Sequence, residues 1–300
     1  MKDEQDKAIE FIRDTFKEKG FKKAVIGVSG GLDSAVVATL CVKALGCNNV
    51  IGVCLPRRPI KSSFPDIEER TDIELIEKLC CSFRHSTIRP LERVFEDLDY
   101  GSSKLRMGNI LARIRMIILF DIASEYNGLV VGTSNKTELA LGYFTLHGDG
   151  ACALEPIGHL YKTEVKKLAK YIGVPKHIIE KRPSAELWEG QYDEDELGAS
   201  YEVIDKILQG KTPAGKDDIA KQILARVEKN KFKLEMPTIK SPNNTQDTNS
   251  LSCRIKPLSI QKKLENEFGE WLCIQGLSIP DKNCDIFIDK CMKIINKDNE

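Results

Sequence analysis

One stretch near the N-terminus constrains the fold of this 300-residue chain more than any other. The apolar run 24–28, Ala-Val-Ile-Gly-Val, has the length of a buried strand and leads directly into Ser29-Gly30-Gly31-Leu32-Asp33-Ser34. The next residues, Ala-Val-Val-Ala at 35–38, continue with the apolar spacing of a helix. This order predicts a strand, a tight glycine loop and the start of a helix.

The glycine loop is suited to binding phosphate. Glycine allows positive φ and leaves backbone amides uncovered, Ser29 and Ser34 add hydroxyl donors, and the N-terminus of the following helix carries partial positive charge. Asp33 would repel an anion unless a cation lies between them, so we interpret it as a Mg²⁺ ligand. The loop is not the pattern G-x-x-x-x-G-K-[ST], because no lysine follows the glycines. The motif alone leaves the substrate open.

Length and composition narrow the class of protein. Three hundred residues can bury a complete core and suggest about two domains. The formal net charge is zero, so nothing predicts a surface for nucleic acid. The N-terminus lacks the apolar core of a signal sequence, and no apolar run is long enough to span a bilayer. We therefore expect a cytoplasmic protein without a nucleic-acid or membrane partner.

The ten cysteines do not predict a disulfide framework or a metal site. Without a secretory signal, reduced thiols in a cytoplasm are expected. No two cysteines have the spacing C-x-x-C, which argues against the usual zinc ribbon and the usual redox pair.

Strand and helix patterns alternate along the first 240 residues. The predicted strands are 24–28, 49–55, a weaker one at 87–88, and 129–132, and the predicted helices are 5–18, 35–44, 66–79, 105–126, 162–171, 200–208 and 217–227. This alternation predicts a three-layer α/β fold, with a parallel sheet and helices on both faces. Ligands of such sheets bind beyond the carboxyl ends of the strands. The loops 29–34 and 133–138 should therefore face one cleft.

The end of the chain has a different composition. Residues 241–252 are almost entirely polar and are predicted to form a linker. Residues 253–300 contain apolar residues at helical spacing but show no chemistry. We predict a domain over 1–240, the linker 241–252 and a C-terminal helical extension over 253–300.

A second polar segment, Gly132-Thr133-Ser134-Asn135-Lys136-Thr137-Glu138, follows the fourth predicted strand. A hydroxyl group at a strand end suits a nucleotide, and a carboxylate one turn further on can share one Mg²⁺ with Asp33. The first loop resembles the pyrophosphatase loop of the adenine-nucleotide α-hydrolases. With the second segment, the chain closely resembles the ammonia-dependent NAD⁺ synthetases, which lack an attached glutaminase. The matching segments are 29–34, 108–109, 112–116, 132–138, 142–150, 156–157, 160–162, 183–185 with 187, and 193–198.

The resemblance covers roughly residues 5–240 and implies a ligase that forms a C–N bond. Enzymes of this family adenylate the nicotinate carboxylate of deamido-NAD⁺ with Mg-ATP, release pyrophosphate, and let ammonia displace AMP. Adenylation is needed because a carboxylate is a poor acyl donor. Ammonia then either diffuses in or comes from a separate glutaminase.

Carried over by position, the resemblance assigns the ATP side of the site. The segment Gly27-Val28-Ser29-Gly30-Gly31-Leu32-Asp33-Ser34 would hold the ATP phosphates. Asp33 and Glu138 would bind Mg²⁺. Thr133, Lys162 and Ser184 would contact ATP, and Lys162 would neutralise charge that develops on the phosphates.

The acceptor side is also assigned by resemblance. Arg113, Asp149 and Lys233 would contact deamido-NAD⁺, and Asp149 would join Asp33 and Lys162 as a catalytic residue. Family members are homodimers with the dinucleotide site at the subunit interface, so the helix around Arg113 is a candidate interface element.

The acceptor side departs from the family pattern at three positions. Leu146 and Ala153 replace a lysine and an aspartate that usually contact deamido-NAD⁺. Phe232 replaces the histidine of a His-Lys pair whose lysine is Lys233. Because the ATP and Mg²⁺ residues are intact, the adenylating half of the reaction is the better supported expectation.

Other hypotheses stay open from the sequence. The same adenylating chemistry suits another acceptor, for instance nicotinate mononucleotide. A sulfur transferase of the same superfamily would use Cys152 as donor, although nothing nearby in sequence signals thiolate activation. A non-catalytic nucleotide-binding regulator would use 241–300 for partners, but the intact acidic residues and lysine weigh against it. The purely structural interpretations are solvated surface positions for Glu138 and Lys162, the polar side of a helix for Arg113, and a turn aspartate for Asp149.

Overall fold

The structure is a computed structural model that describes residues 1–57, 71–79, 81–98, 100–101, 103–184 and 190–239. The chain divides into two units, Met1–Met236 and Pro237–Glu300. The first unit contains every helix and strand described below. The predicted linker 241–252 and the predicted helical extension 253–300 lie outside the described residues, so the domain boundary at 240 stays a prediction.

Helices and strands alternate through the first half of the first unit, and helices follow in the second half. The elements in chain order are α1 Lys2–Glu18, β1 Lys23–Gly27, α2 Leu32–Leu45, β2 Val50–Cys54, α3 Thr71–Leu79, β3 Ser82–His85, α4 Arg89–Asp97, α5 Lys104–Glu125, β4 Gly128–Val131, α6 Lys136–Leu141, α7 Lys162–Ile172, α8 Lys176–Glu180, α9 Asp193–Leu197, α10 Tyr201–Leu208 and α11 Asp217–Asn230. Short 3₁₀ turns at Cys47–Asn49 and Lys231–Leu234 precede β2 and follow α11.

The four strands form one parallel sheet in the order β3-β2-β1-β4. Side chains of β1 alternate between the two faces. Ala24 and Ile26 pack in a core with α1, α2, α7 and α8, whereas Val25 packs in a second core with α5. The sheet is therefore covered on both sides, which confirms the predicted three-layer α/β fold.

A third apolar cluster joins the helices that follow the sheet. Leu141 of α6 packs there with Ile204 of α10 and Ile223 of α11, and all three are almost fully buried. This cluster fixes α6, which begins just beyond the carboxyl end of β4, against α10.

The predicted third strand at 87–88 was wrong, because the strand is Ser82–His85. Its side chains are largely exposed, since β3 is at the edge of the sheet and carries Ser82 and Arg84. Edge strands of this kind give a weak apolar signal. Ile88 is fully buried, but it precedes α4 instead of lying in a strand.

Other helix predictions differ from the structure in extent. The helix predicted over 66–79 is described over Thr71–Leu79, and its predicted first residues lie outside the described part of the chain. The helices α4, α6, α8 and α9 were not predicted. The last three have only five or six residues and offer few apolar repeats. Helix α4 carries Leu91, Val94 and Phe95 at helical spacing, a pattern that the sequence analysis did not use.

The described residues include five cysteines, of which Cys41 and Cys54 are buried. Cys41, Cys47 and Cys152 are free thiols. Across the residues that the structure describes, no helix combines the length and apolar character needed to cross a lipid bilayer.

Candidate active site

The glycine loop lies at the carboxyl end of β1, where its own serines hold it in shape. Gly30 has φ of +76°, a conformation that favours glycine. The Ser29 amide donates to Ser34 Oγ at 3.3 Å, and Ser34 Oγ donates to the Gly31 carbonyl at 3.1 Å. The loop then enters α2 through Gly31, which carries no side chain to cap the helix. This leaves the helix N-terminus suited to an anionic ligand, as the sequence predicted.

A lysine between two carboxylates forms the centre of the site. Lys162 Nζ lies 2.5 Å from Asp33 Oδ2 and 2.9 Å from Glu138 Oε1. Asp33 is in the first turn of α2, Glu138 in α6, and Lys162 is the first residue of α7. The Asn135 side chain also donates to Asp33 Oδ1 at 3.0 Å. The two strand-end loops therefore meet at the carboxyl edge of the sheet.

Electrostatics keep this lysine positively charged. Its side chain is 8% exposed, and burial alone would lower the pKa of the ammonium group. The carboxylates of Asp33 and Glu138 outweigh burial and hold the pKa of Lys162 well above its usual value. A fixed cation beside a glycine loop at a helix N-terminus can stabilise negative charge that develops during a reaction.

A capping box fixes the position of Glu138. The Glu138 amide donates to Asn135 Oδ1 at 3.1 Å, and Glu138 Oε2 accepts from the Asn135 amide at 3.4 Å. The other carboxylate oxygen, Oε1, is thereby directed to Lys162. The spacing Asn-x-x-Glu is a recognisable signal for this cap, although sequence reasoning did not use it.

A buried aspartate on α10 positions Lys162 and was missed from the sequence. Asp205 is 2% exposed and accepts from Thr137 Oγ1 at 2.5 Å and from the Thr163 amide at 2.9 Å. Thr137 Oγ1 in turn accepts from the Lys162 amide at 3.0 Å. The sequence does hold a signal for Asp205, because it is an acidic residue next to Ile204 on the apolar face of a helix. Asp205 thus ties the N-termini of α6 and α7 together.

Aromatic and acidic groups surround the lysine from α9 and α10. Lys162 Nζ lies 5.0 Å from the centre of the Tyr201 ring, within cation–π range. The Tyr201 hydroxyl donates to Asp193 Oδ2 at 3.0 Å, so the ring is held in place. Neither residue was predicted as part of the site.

The two predicted ATP contacts Thr133 and Ser184 come from different parts of the site. Thr133 lies two residues after the end of β4 and is half-buried. Ser184 Oγ donates to the Gln191 carbonyl at 2.6 Å, which joins the residues on either side of 185–189. The matched positions 185 and 187 lie outside the described residues, and the ATP contacts of Thr133 and Ser184 stay predictions.

The three predicted acceptor-side residues meet around one loop, 142–150. Arg113 donates from Nε and Nη2 to the Leu146 carbonyl at 3.3 and 3.2 Å. Lys233 Nζ donates to the carbonyls of Gly142 and Phe144 at 2.7 and 2.8 Å. Asp149 Oδ1 accepts from the amide of Thr145 in the same loop at 2.8 Å. In this structure the three side chains hold the loop 142–150 in place. Their contacts with a dinucleotide stay predictions.

The departures from the family pattern lie in and beside this loop. Leu146 contributes only its backbone carbonyl to the contact with Arg113. Ala153 is exposed and donates its amide to Val130, and Phe232 is 57% exposed on the 3₁₀ turn next to Lys233.

Cys152 does not have the surroundings of a nucleophile. Its Sγ donates to Glu155 Oε1 at 3.3 Å. Burial, and then the negative charge of Glu155, raise the pKa of the Cys152 thiol far above its usual value. Because the thiolate is the reactive form, these surroundings argue against sulfur transfer from Cys152.

Comparisons with known proteins agree with this arrangement. A family model described as NAD synthase matches residues 4–237. The NH(3)-dependent NAD(+) synthetase of Fusobacterium nucleatum is 42% identical over 250 residues, covering 80% of this chain and 95% of that protein. That of Methanocaldococcus jannaschii is 48% identical over 221 residues, covering 71% of this chain and 84% of that protein.

Solved structures show the same relationship. The structure of NMN synthetase from Francisella tularensis superposes with a TM-score of 0.72 at 34% identity, covering 80% of this chain and 98% of that one. An NH3-dependent NAD synthetase from Campylobacter jejuni has a TM-score of 0.64 at 34% identity, with the same coverage. The family match over 4–237 and the site geometry lead to one conclusion: the chain belongs to the NAD synthase family.

Proposed function

We propose that this chain makes NAD⁺ from deamido-NAD⁺ and ammonia at the expense of ATP, releasing AMP and pyrophosphate. The observation that carries the proposal is Lys162, held between Asp33 and Glu138 beside the glycine loop. Relatives that share 42% to 48% of their residues with this chain are NH(3)-dependent NAD(+) synthetases.

The first half of the reaction is adenylation. A carboxylate oxygen of the nicotinate ring attacks the α-phosphorus of ATP, and the bond to pyrophosphate breaks with its electron pair leaving on pyrophosphate. The amides of the glycine loop and the N-terminus of α2 bind the phosphates, and the Lys162 ammonium stabilises the charge that accumulates on them. The resulting acyl-adenylate has AMP as a good leaving group.

The second half is attack by ammonia. The nitrogen lone pair attacks the carboxyl carbon of the adenylate, and the C–O bond to AMP breaks with its electron pair leaving on AMP. The nitrogen then loses one proton to solvent, which leaves the amide. The loop 142–150, held by Arg113 and Lys233, is suited to position the acceptor for this step.

We propose that Asp33 and Glu138 hold Mg²⁺ together with the phosphates of ATP. Among the described residues, no group of three or more His, Cys, Asp or Glu side chains converges on one point. Two carboxylates fit Mg²⁺, which is commonly bound by one or two carboxylates plus substrate phosphates. The metal would neutralise phosphate charge, and Lys162 would then be free to turn toward the phosphates.

Asp33→Asn should weaken the use of Mg²⁺. Removing a side chain that only hydrogen-bonds to a metal ligand typically lowers metal affinity roughly 10- to 100-fold. We therefore expect the Mg²⁺ concentration for half-maximal pyrophosphate release to rise by at least about tenfold. Asp14→Asn, on the exposed side of α1, is the control. Unchanged Mg²⁺ dependence in Asp33→Asn would remove Asp33 from the metal site.

The acceptor is tested by a direct product assay. The protein is incubated with Mg-ATP and ammonium, together with either deamido-NAD⁺ or nicotinate mononucleotide, and the amide is identified by mass spectrometry. We expect NAD⁺ from deamido-NAD⁺. The mononucleotide is the competing acceptor, because one similar solved structure is an NMN synthetase. Product from the mononucleotide alone would overturn the proposal.

We also propose that the protein is a homodimer formed through α4 and α5. Large apolar side chains are exposed along both helices, and they are Leu91 and Val94 of α4, Leu98 directly after it, and Leu105, Ile117 and Phe120 of α5. Ile117 lies one helical turn beyond Arg113, so the exposed apolar stripe continues into the acceptor side of the site. Exposed apolar surface of this kind indicates a protein interface.

Ile117→Lys should dissociate this dimer. Ile117 is 62% exposed, so a lysine there fits the monomer but places a charge in the interface. We expect a dimer for the wild type and a monomer for Ile117→Lys by sedimentation velocity, with a raised KM for deamido-NAD⁺. Phe11→Lys changes a similarly exposed apolar residue on α1 and is the control. A monomeric wild type, or a dimeric Ile117→Lys, would contradict the assignment.

We place the reaction in the cytoplasm. The support is the state of Cys41, Cys47 and Cys152, which are free thiols, as is usual in a reducing compartment.

A further inference from the structure

Glu155 is a carboxylate at the site that the mechanism above does not use. Residues 153–154 run parallel to β4, because the Ala153 amide donates to Val130 and the Gly132 amide donates to Leu154, both at 2.9 Å. This pairing places Glu155 at the carboxyl edge of the sheet, where Thr133 and Ser134 follow β4. Ligands of parallel sheets bind at this edge.

The Glu155 carboxylate is held against the loop that follows β4. Oε2 accepts from the Ser134 amide at 2.9 Å, and Oε1 accepts from Cys152 Sγ at 3.3 Å. A Cβ atom at Gly132 would lie 2.4 Å from the Glu155 carboxyl carbon. The Glu155 carboxylate can therefore lie against the end of β4 only because residue 132 is glycine.

The Glu155 carboxylate has no cationic partner in the described part of the chain. Among the described residues, no lysine, arginine or histidine forms an ion pair with Glu155. Partly buried charges in proteins are normally paired. A carboxylate can accept about four hydrogen bonds, and two are used here. The remaining positions suit a small cation that donates hydrogen bonds, and ammonium is the cationic form of the second substrate.

We propose that Glu155 binds ammonium and accepts one of its protons, so that neutral ammonia is released beside the acyl-adenylate. The proton moves from nitrogen to a carboxylate oxygen of Glu155, and the lone pair it leaves attacks the carboxyl carbon. The C–O bond to AMP then breaks, the nitrogen loses a second proton to water, and Glu155 returns its proton to solvent. This assignment rests on the proposed function.

The electrostatic surroundings of Glu155 agree with a proton acceptor. Burial raises the pKa of Glu155 to about 7, although the hydrogen bonds from Cys152 and Ser134 oppose this. The titratable groups that act on it are the Cys152 thiol, which stays protonated, and the Asp149 carboxylate, whose charge raises the pKa further. A base with this pKa is efficient near neutral pH.

The test compares two half-reactions in Glu155→Gln. Exchange of pyrophosphate into ATP, measured with deamido-NAD⁺ and without ammonium, reports adenylation. NAD⁺ formation at varied ammonium and pH reports the second step. Glutamine keeps the size of the side chain and an acceptor for the Ser134 amide. Glu202→Gln makes the same change at an exposed position of α10 and is the control.

We expect Glu155→Gln to keep pyrophosphate exchange and the unfolding midpoint. Its kcat/KM for ammonium should fall about 100-fold at neutral pH, the low end of typical general-base contributions. The deficit should narrow as pH rises, because free ammonia becomes abundant. In the wild type, kcat/KM for ammonium should show an acid limb near pH 7 that the exchange reaction lacks.

The possible failures are distinguishable. A wild type that shows no exchange with deamido-NAD⁺ would overturn the proposed function. Normal exchange in both proteins, with equal dependence on ammonium and pH, would overturn only the assignment of Glu155. Equal losses in both half-reactions would also overturn it, because Glu155 would then support the Ser134 loop. If Glu155→Gln does not fold, the wild type alone provides the test. A pH profile of its kcat/KM for ammonium without the acid limb would overturn the assignment of Glu155.

Discussion

Lys162→Met is expected to reduce pyrophosphate release at least about 1000-fold, the upper range for loss of one group that stabilises transition-state charge. Methionine keeps the length of the side chain but removes the ammonium group between Asp33 and Glu138. Pre-steady-state measurement of pyrophosphate, with deamido-NAD⁺ present and ammonium absent, isolates this step. The KM for ATP should change much less than kcat, because the charge develops mainly in the transition state.

The same substitution should lower stability in a metal-dependent way. Removing one partner of a buried ion pair costs about 3 to 5 kcal/mol, since the remaining charge is uncompensated. The two carboxylates are only 15% and 16% exposed. We expect the unfolding midpoint of Lys162→Met to fall in chelator and to recover in part when Mg²⁺ is added.

Lys166→Met is the matched control, since Lys166 is exposed one turn further along α7. It should keep both activity and stability. If Lys162→Met released pyrophosphate at a rate within tenfold of the wild type, Lys162 would have no catalytic role in adenylation.

Asp205→Ala is expected to destabilise the protein by about 3 to 6 kcal/mol, because it loses two hydrogen bonds to a charged group and each contributes roughly 1.5 to 3 kcal/mol. The substitution removes the acceptor for both Thr137 Oγ1 and the Thr163 amide, so α6 and α7 are no longer held together. Chemical unfolding measures the loss of stability. At a temperature where the variant is folded, kcat should fall while the KM for ATP changes little, because Lys162 is displaced from the charge it stabilises.

Asp205→Asn is the conservative control for Asp205→Ala. Asparagine keeps the shape and one acceptor oxygen, so it should restore a large part of both stability and kcat. An Asp205→Ala protein with wild-type stability and wild-type kcat would show that the contacts of Asp205 do not position Lys162.

Much of the fold was accessible from local sequence. The run 24–28, followed by a glycine pair and an apolar helical stripe, predicts a strand, a loop and a helix because each depends on neighbouring residues. The structure confirms β1, the loop and α2 at these positions. The edge strand β3 was misplaced, because its exposed side chains leave no apolar pattern to detect.

The sequence also indicated the chemistry of the site. Asp33, Glu138 and Lys162 were named from two motifs and a family resemblance. Sequence can identify such residues because a motif keeps residue types at fixed spacing. Spacing alone does not show what a side chain contacts. The ion pair between Lys162 and Asp33 joins residues 129 positions apart, and the parallel order of β1 and β4 brings them together.

By itself, then, the sequence determined the fold class, the position of the glycine loop and the family, because these depend on local periodicity and on motifs. Only the tertiary structure showed that buried Asp205 fixes the lysine, and that Glu155 lies beside Ser134 with no ion pair to any residue the structure describes. A buried carboxylate has the same sequence signal whether it supports a helix or faces a ligand. Its role is decided by which distant groups the packing of α10, α6 and α7 brings within hydrogen-bond distance.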